Sequence, residues 1–291
     1  MPLTFSSLAF KKTMIRYGDK LLKINKPWVF GILNVTPDSF YTDSRTFTAD
    51  KIEARVKKLI ADNVSVIDIG AYSSRPDAEH ITEEEELDRL TRGISIIKKI
   101  AVDIPISIDT FRASVVWKIY EQFGAFIVND ISGGELDNEM FSTVAELQLP
   151  YILTHMQGTP QTMQNNPIYT DVVTEIADYF VQKITTLRQL GVNDIILDPG
   201  FGFGKTVEHN YELLDRLEEL HILGLPIFVG VSRKSMLYKL LGNTPSDTLN
   251  ATAVVNTISL MKGASFLRVH DVAEANEAVE IVWKMKEVGK R

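Results

Sequence analysis

Several stretches of this sequence set reactive side chains where an apolar run stops. Ile104–Asp109 ends with Asp109 and Ser107 alternating with Ile106 and Ile108. A period of two puts the carboxylate on one face of a strand and the isoleucines on the other. If the isoleucines meet helices, Asp109 points into whatever the strand ends enclose. Ser265–His270 ends with Arg268 and His270 two positions apart, a guanidinium beside an imidazole. That pair suits a phosphate or diphosphate, because Arg offers a planar fork of donors and His adds another. The plain alternative for His270 is a structural residue bonded to Asp271 or to a backbone carbonyl. Gly230–Met236 (GVSRKSM) carries Lys234 to a helix start, where backbone N–H groups favour an anion.

Ile195–Thr206 reads IILDPGFGFGKT. The run closes on Asp198, breaks at Pro199, which cannot donate to a sheet, and continues through alternating glycines that let backbone approach a ligand. Phe201 and Phe203 read as exposed aromatics in a loop that needs none for packing. The stretch is neither a Walker phosphate loop nor a dinucleotide fingerprint, whose glycine spacings differ. Asn34–Phe40 (NVTPDSF), with a long connection to Thr48, reads as a flap. Gly70–Pro76 (GAYSSRP) holds Arg75 among hydroxyls, a second anion contact, and the Glu83–Glu86 run that follows reads as a solvated first helical turn. Thr154–Pro160 (THMQGTP) presents Met156, either core or the floor under a flat heterocycle.

These stretches need a frame. The chain has 291 residues, near the upper limit for one hydrophobic core. Lys and Arg total 31 against 38 Asp and Glu, so the net charge of −7 argues against nonspecific nucleic-acid binding. No cysteine is present, which removes disulfides and thiolate metal sites. The lack of a long apolar run or signal-like amino terminus argues against a membrane protein and for a cytoplasmic enzyme. Residues 1–27 read as an N-terminal extension with a hairpin at Met14–Ile24 around Gly18 and Asp19. Strand-like runs follow at Val29–Asn34, Val64–Ile69, Ile104–Asp109, Ala125–Asp130, Tyr151–His155, Asp194–Asp198, Pro226–Val231 and Ser265–His270. Helical patterns separate them at Ala49–Asp62, Glu83–Ala101, Arg112–Phe123, Asn138–Gln148, Val172–Leu190, Val207–His221, Lys234–Leu241 with Asp247–Met261, and Ala273–Val288. This alternation predicts an α/β fold, a TIM (β/α)8 barrel over residues 28–291, with an open doubly wound sheet as runner-up. In a barrel the strand ends Asn34, Asp68, Asp109, Asn129, Asp130, His155, Asp198, Ser232, Arg268 and His270 share one mouth. Asp68 and Asp130 read as residues that cap helices or tie loops.

In this order and spacing, NVTPDSF, SSRP, ISIDTFRA, IVNDISGG, THMQGTP, ILDPGFGFGK, VGVSRKS and LRVHDV resemble dihydropteroate synthases, from about Trp28 to the carboxyl terminus. The resemblance implies a transferase of folate biosynthesis, a sulfonamide target, that joins 6-hydroxymethyl-7,8-dihydropterin diphosphate to 4-aminobenzoate and releases diphosphate. It assigns Asp109, Asn129 and Asp198 to the pterin edge, Met156 to its ring and Lys234 to its oxygen or ring nitrogen. It gives Arg268 and His270 the diphosphate, with Asn34 acting through Mg2+. Ser74, Arg75, Pro76, Phe203 and Ser235 would shape the aminobenzoate pocket. It also implies a homodimer through helices late in the barrel. Ser74 stands where the family more often has Thr. The competing readings are a methyltransferase domain using methyltetrahydrofolate, a Schiff-base aldolase using Lys234, and an inactive pterin-binding scaffold. Diphosphate dependence separates the first, and the aldolase is disfavoured because no clear partner depresses the Lys234 pKa.

Overall fold

Period-two alternation sorts each apolar run into one set of side chains for the barrel interior and another for the helices outside. In the computed structural model, which describes residues 13–36, 49–72, 81–159, 162–163 and 167–289, the expected hairpin forms from β1 (Thr13–Tyr17) and β2 (Lys20–Ile24). Eight parallel strands then follow: β3 (Trp28–Asn34), β4 (Val66–Gly70), β5 (Ile106–Asp109), β6 (Ile127–Asp130), β7 (Tyr151–Thr154), β8 (Ile195–Asp198), β9 (Phe228–Val229) and β10 (Phe266–Val269). Their spatial order is β8-β7-β6-β5-β4-β3-β10-β9. A parallel bridge between Leu197 and Ile227 joins the two ends and closes the barrel. The ring excludes the open doubly wound sheet.

The crossovers are α1 (Ala49–Ala61), α2 (Glu83–Ile100), α3 (Ala113–Phe123), α4 (Met140–Glu146), α5 (Val172–Gln189), α6 (Val207–Asp215), α7 (Ser235–Leu241), α8 (Leu249–Met261) and α9 (Val272–Val288). Ile106 and Ile108 do face the helices, packed with Val115, Val116 and Ile119 of α3 in the outer core. β9 is shorter than its apolar run because Pro226 has no N–H to offer the ladder and Gly230 is bare backbone. The Val207–His221 pattern splits at Arg216 into α6 and a 3-10 segment, Leu217–Leu223. The break expected at Pro245 is a short 3-10 turn between α7 and α8. Among the described residues no helix is long and apolar enough to cross a membrane.

The barrel interior is divided by height. Its lower half holds Phe30, Val66, Ile127, Ile152, Ile196, Phe228 and Phe266, with Ile15 and Ile24 of the hairpin in the same apolar cluster. The Phe30 ring meets Phe228 and Phe266 edge-on at 5.0 and 5.5 Å. Tyr17 Oη accepts the Ile106 N–H at 3.0 Å, fixing the hairpin under the barrel. One pleat higher on β4, Asp68 takes the inward place of Val66, and polar residues begin.

Asp130 behaves as expected for a loop tie. Its carboxylate accepts from Ser132 N–H and Oγ, from Gly134 N–H and from Tyr151 Oη, at 2.7–2.8 Å. The Glu83–Glu86 run needs a correction. Thr82 caps α2 by accepting the Glu85 N–H, but Glu86 is fully buried rather than solvated. It accepts from Thr110 Oγ1 at 2.6 Å and pairs with Arg112, holding the chain just after Asp109. The turn of α2 that carries it faces the loop after β5, so its carboxylate meets donors instead of water.

Candidate active site

Arg268 rises from β10 into the upper barrel and joins three strands. Its Nε donates to Asp68 on β4 at 2.6 Å and its Nη2 donates to Asp109 on β5 at 2.7 Å. Asn129 on β6 donates from Nδ2 to the other Asp68 oxygen at 3.1 Å. Asp68 is therefore the hub of the cluster, fully buried, and not the helix cap or loop tie expected of it. The signal was available: Asp68 shares the inward parity of Val66, and a lone carboxylate inside a barrel must find a cation. Nη1 of Arg268 makes no hydrogen bond among the described residues.

Charge is concentrated here. Burial pushes the Asp109 carboxyl up to about 7, against the pull of Arg268 and with help from Asp68, Glu86 and Asp130. Burial acts to lower Arg268, but Asp68 and Asp109 outweigh it and keep the guanidinium charged. Asp198, at the end of β8, is raised by burial and held down by Lys234 and its bond from Gly200 N–H. Lys234 is pushed down to about 8 by burial and Arg268, with Asp198 and Asp109 opposing. The low-dielectric wall itself thus depresses this lysine, which the sequence had no partner to explain.

The strand-eight loop delivers the second half of the site. Asp198 Oδ1 accepts the Gly200 N–H at 2.8 Å. Lys234, the residue before α7, donates to the Phe201 carbonyl, and its ammonium lies 4.2 Å from the Phe203 ring centroid. Phe201 is not exposed; its ring is fully buried in the outer core, so only Phe203 faces the mouth. A Cβ on Gly230 would sit 3.7 Å from Arg268 Cβ and 3.9 Å from Lys234 Nζ, so the two cations converge over this glycine. Ser235 is the half-buried first residue of α7.

Among the described residues the His270 ring bonds neither Asp271 nor a carbonyl. Its Nδ1 lies 3.0 Å from Ser232 Oγ, which also accepts the His270 N–H at 3.2 Å. The hydroxyl proton then fits Nδ1 and the ring proton falls on Nε2. Burial, with the charges of Arg268 and Arg233, pushes the imidazole down to about 3, so it is neutral at physiological pH. Asp271 is taken by a bidentate pair with Arg233, at 3.1 and 2.7 Å. Asn34 ends β3, half-buried, in register with Gly70, itself in register with Asp109. Met156 is buried yet joins neither apolar cluster among the described residues. Ser107 Oγ on β5 and Thr154 Oγ1 at the end of β7, two residues before Met156, are buried without a hydrogen-bond partner among the described residues. Ser74, Arg75 and Pro76 lie outside the described residues, as does the flap from Pro37 to Thr48.

The profile of the family described as pterin binding enzyme matches residues 30–270. The chain is 42% identical over 267 residues to the dihydropteroate synthase of Escherichia coli K12, covering 90% of this chain and 92% of that one. The chain belongs to the dihydropteroate synthase family. Among solved dihydropteroate synthases, the Yersinia pestis protein, in a sulfonamide drug complex, superposes with a TM-score of 0.88 at 37% identity, over 94% of this chain and all (100%) of that one. The Xanthomonas albilineans dihydropteroate synthase, solved with 4-aminobenzoic acid, gives 0.86 at 32% identity, over 95% and 99% of the two chains.

Proposed function

We propose that this chain condenses 6-hydroxymethyl-7,8-dihydropterin diphosphate with 4-aminobenzoate to give 7,8-dihydropteroate and diphosphate. The observation that carries this reading is the Asn129–Asp68–Arg268–Asp109 chain of hydrogen bonds, which gathers inside the upper barrel groups for a polar heterocycle and for an anion. Asn129, Asp109 and Asp198 would pair with the amino and oxo edge of the pterin, where a buried mismatch is costly. Met156 would lie on the ring and Lys234 would donate from the far side. Phe203 and Ser235, with Ser74, Arg75 and Pro76, would take the aminobenzoate.

The reaction starts as the methylene C–O bond weakens and its electron pair leaves with the diphosphate. Positive charge spreads into the pterin, where ionised Asp109 stabilises it. Arg268 and the Nε2–H of His270 receive the developing anion. The aryl amine then forms the C–N bond and loses a proton. The Asn34 amide oxygen fits Mg2+, a hard cation that keeps most of its waters and is shared with substrate phosphates, so Asn34 would hold it beside the diphosphate. When bound, the ion neutralises leaving-group charge. No covalent intermediate on Lys234 is needed.

The experiment is a coupled assay for diphosphate release with both substrates, with and without Mg2+. Release that requires 4-aminobenzoate is the expected result. Release without it, or none at all, would reject the assignment, and methyl transfer from methyltetrahydrofolate would install the rival pterin enzyme.

The same reading includes a homodimer. Ile281, Met285 and Val288 form an exposed apolar stripe on α9 at helical spacing, next to exposed Val254 on α8. An apolar stripe of this kind supports a self-complementary contact. Sedimentation at the monomer mass of 32.7 kDa would remove it.

A further inference from the structure

The strand-eight loop contains a buried cation that the chemistry above does not use. Lys205 is 3% exposed and has no ion pair with a carboxylate among the described residues. Its ammonium has three N–H donors. They are matched by the Gly200 carbonyl at 3.0 Å, the Phe203 carbonyl at 3.1 Å and His155 Nδ1 at 3.0 Å. Burial and the Lys205 charge hold His155 neutral, so Nδ1 serves as an acceptor. The two carbonyls bracket the Phe201 carbonyl that receives Lys234. The third partner belongs to the segment leaving β7, so one side chain bolts two strand-end loops together.

The glycines make that bolt possible. Gly200, at φ +70°, lies so close to β7 that a Cβ there would meet the His155 carbonyl oxygen at 1.9 Å. Gly204, at φ +59°, approaches the Gln157 carbonyl in the same way, at 2.6 Å. Tyr169 closes the rear of the loop by donating from Oη to the Gly204 carbonyl at 2.8 Å. Burial pushes the Lys205 ammonium down to about 7, with the Asp198 charge opposing, and its three acceptors come from two different strand-end segments, so its bonds fix how those segments sit against each other.

We infer that Lys205 is a positioning residue: it clamps the Gly200–Phe203 turn to β7 and thereby sets the Phe203 ring for 4-aminobenzoate. This rests on the proposed aminobenzoate pocket. Asp109 and Asn129 sit on strands away from this loop, and Asp198 is anchored at the end of β8, so the pterin side depends on the clamp less than Phe203 does.

The test is Lys205→Met in the full chain, read by hydrogen exchange over residues 199–206 and by steady-state kinetics. The variant is expected to fold with a somewhat lower Tm, because three buried acceptors lose their donor. Loop exchange should quicken about tenfold or more, and the KM for 4-aminobenzoate should rise about tenfold, while the KM for the pterin diphosphate stays within about threefold. Unchanged loop exchange, or two KM values rising together, would overturn the inference. Phe203→Ala run alongside separates the two readings. If that variant leaves the aminobenzoate KM unaltered, the pocket assignment fails, and the exchange rates still decide whether Lys205 is the clamp.

Discussion

Asp109→Asn is expected to lower kcat by about 10²–10³-fold while the barrel stays folded. Asparagine keeps the shape and can still accept the Arg268 Nη2–H through Oδ1, so the hydrogen bond at 2.7 Å need not be lost. What disappears is the negative charge that faces a pterin-centred cation. The same residue sets the acid limb of activity. With its pKa pushed up to about 7, the carboxyl is protonated and ineffective at lower pH, so kcat/KM falls as pH drops through that value. Lys234, pushed down to about 8, loses a proton and its positive charge as pH rises through that value. The wild-type profile is therefore a narrow bell whose flanks belong to coupled groups. The asparagine variant should keep the alkaline limb and lose the acid one. Near-normal turnover, or an intact acid limb, would remove Asp109 from the mechanism.

Arg268→Ala should weaken diphosphate binding by about 10²-fold or more, within the range for truncating one partner of a buried charge pair. The variant also leaves Asp68 and Asp109 without their cation, the first fully buried and the second largely so. Breaking a buried pair in this way costs about 3–5 kcal/mol of stability, so a lower Tm is part of the expectation. Arg268→Lys supplies the control. It keeps a positive charge near the two acids but loses the fork that reaches both at once. Calorimetry should place its diphosphate affinity between wild type and the alanine variant. Unchanged affinity in both would contradict the leaving-group role of this guanidinium.

Much of this was legible from alternation. Asp109, Asn129, Asp198 and Arg268 stand at the ends of apolar runs, and a barrel brings such ends to one mouth. Asp68 was misread for a definite reason. It lies inside VIDIG, where a strand flanked by isoleucines looks uniformly apolar, and parity becomes informative only once the strand's inward face is known. Glu86 was hidden among four consecutive glutamates, because which one a helix turns inward depends on the neighbouring loop. Phe201 and Phe203 alternate along their loop, and nothing local says which ring is swallowed by the core. Lys205 was visible as a cation near glycines, but the partner that makes it a clamp, His155, lies 50 residues earlier in the segment leaving β7, a separation no local pattern spans.

The hairpin under the barrel has a bearing on traffic. With Ile15, Ile24 and three phenylalanines sealing the floor, both reactants and both products use a single doorway at the rim. Whatever sits deeper must arrive before its partner and depart after it. A heterocycle held at Asn129 and Asp109, as proposed above, would then be the first guest in. The arylamine closes the queue behind it, and the smaller fragment shed at the rim is free to go before the finished molecule backs out.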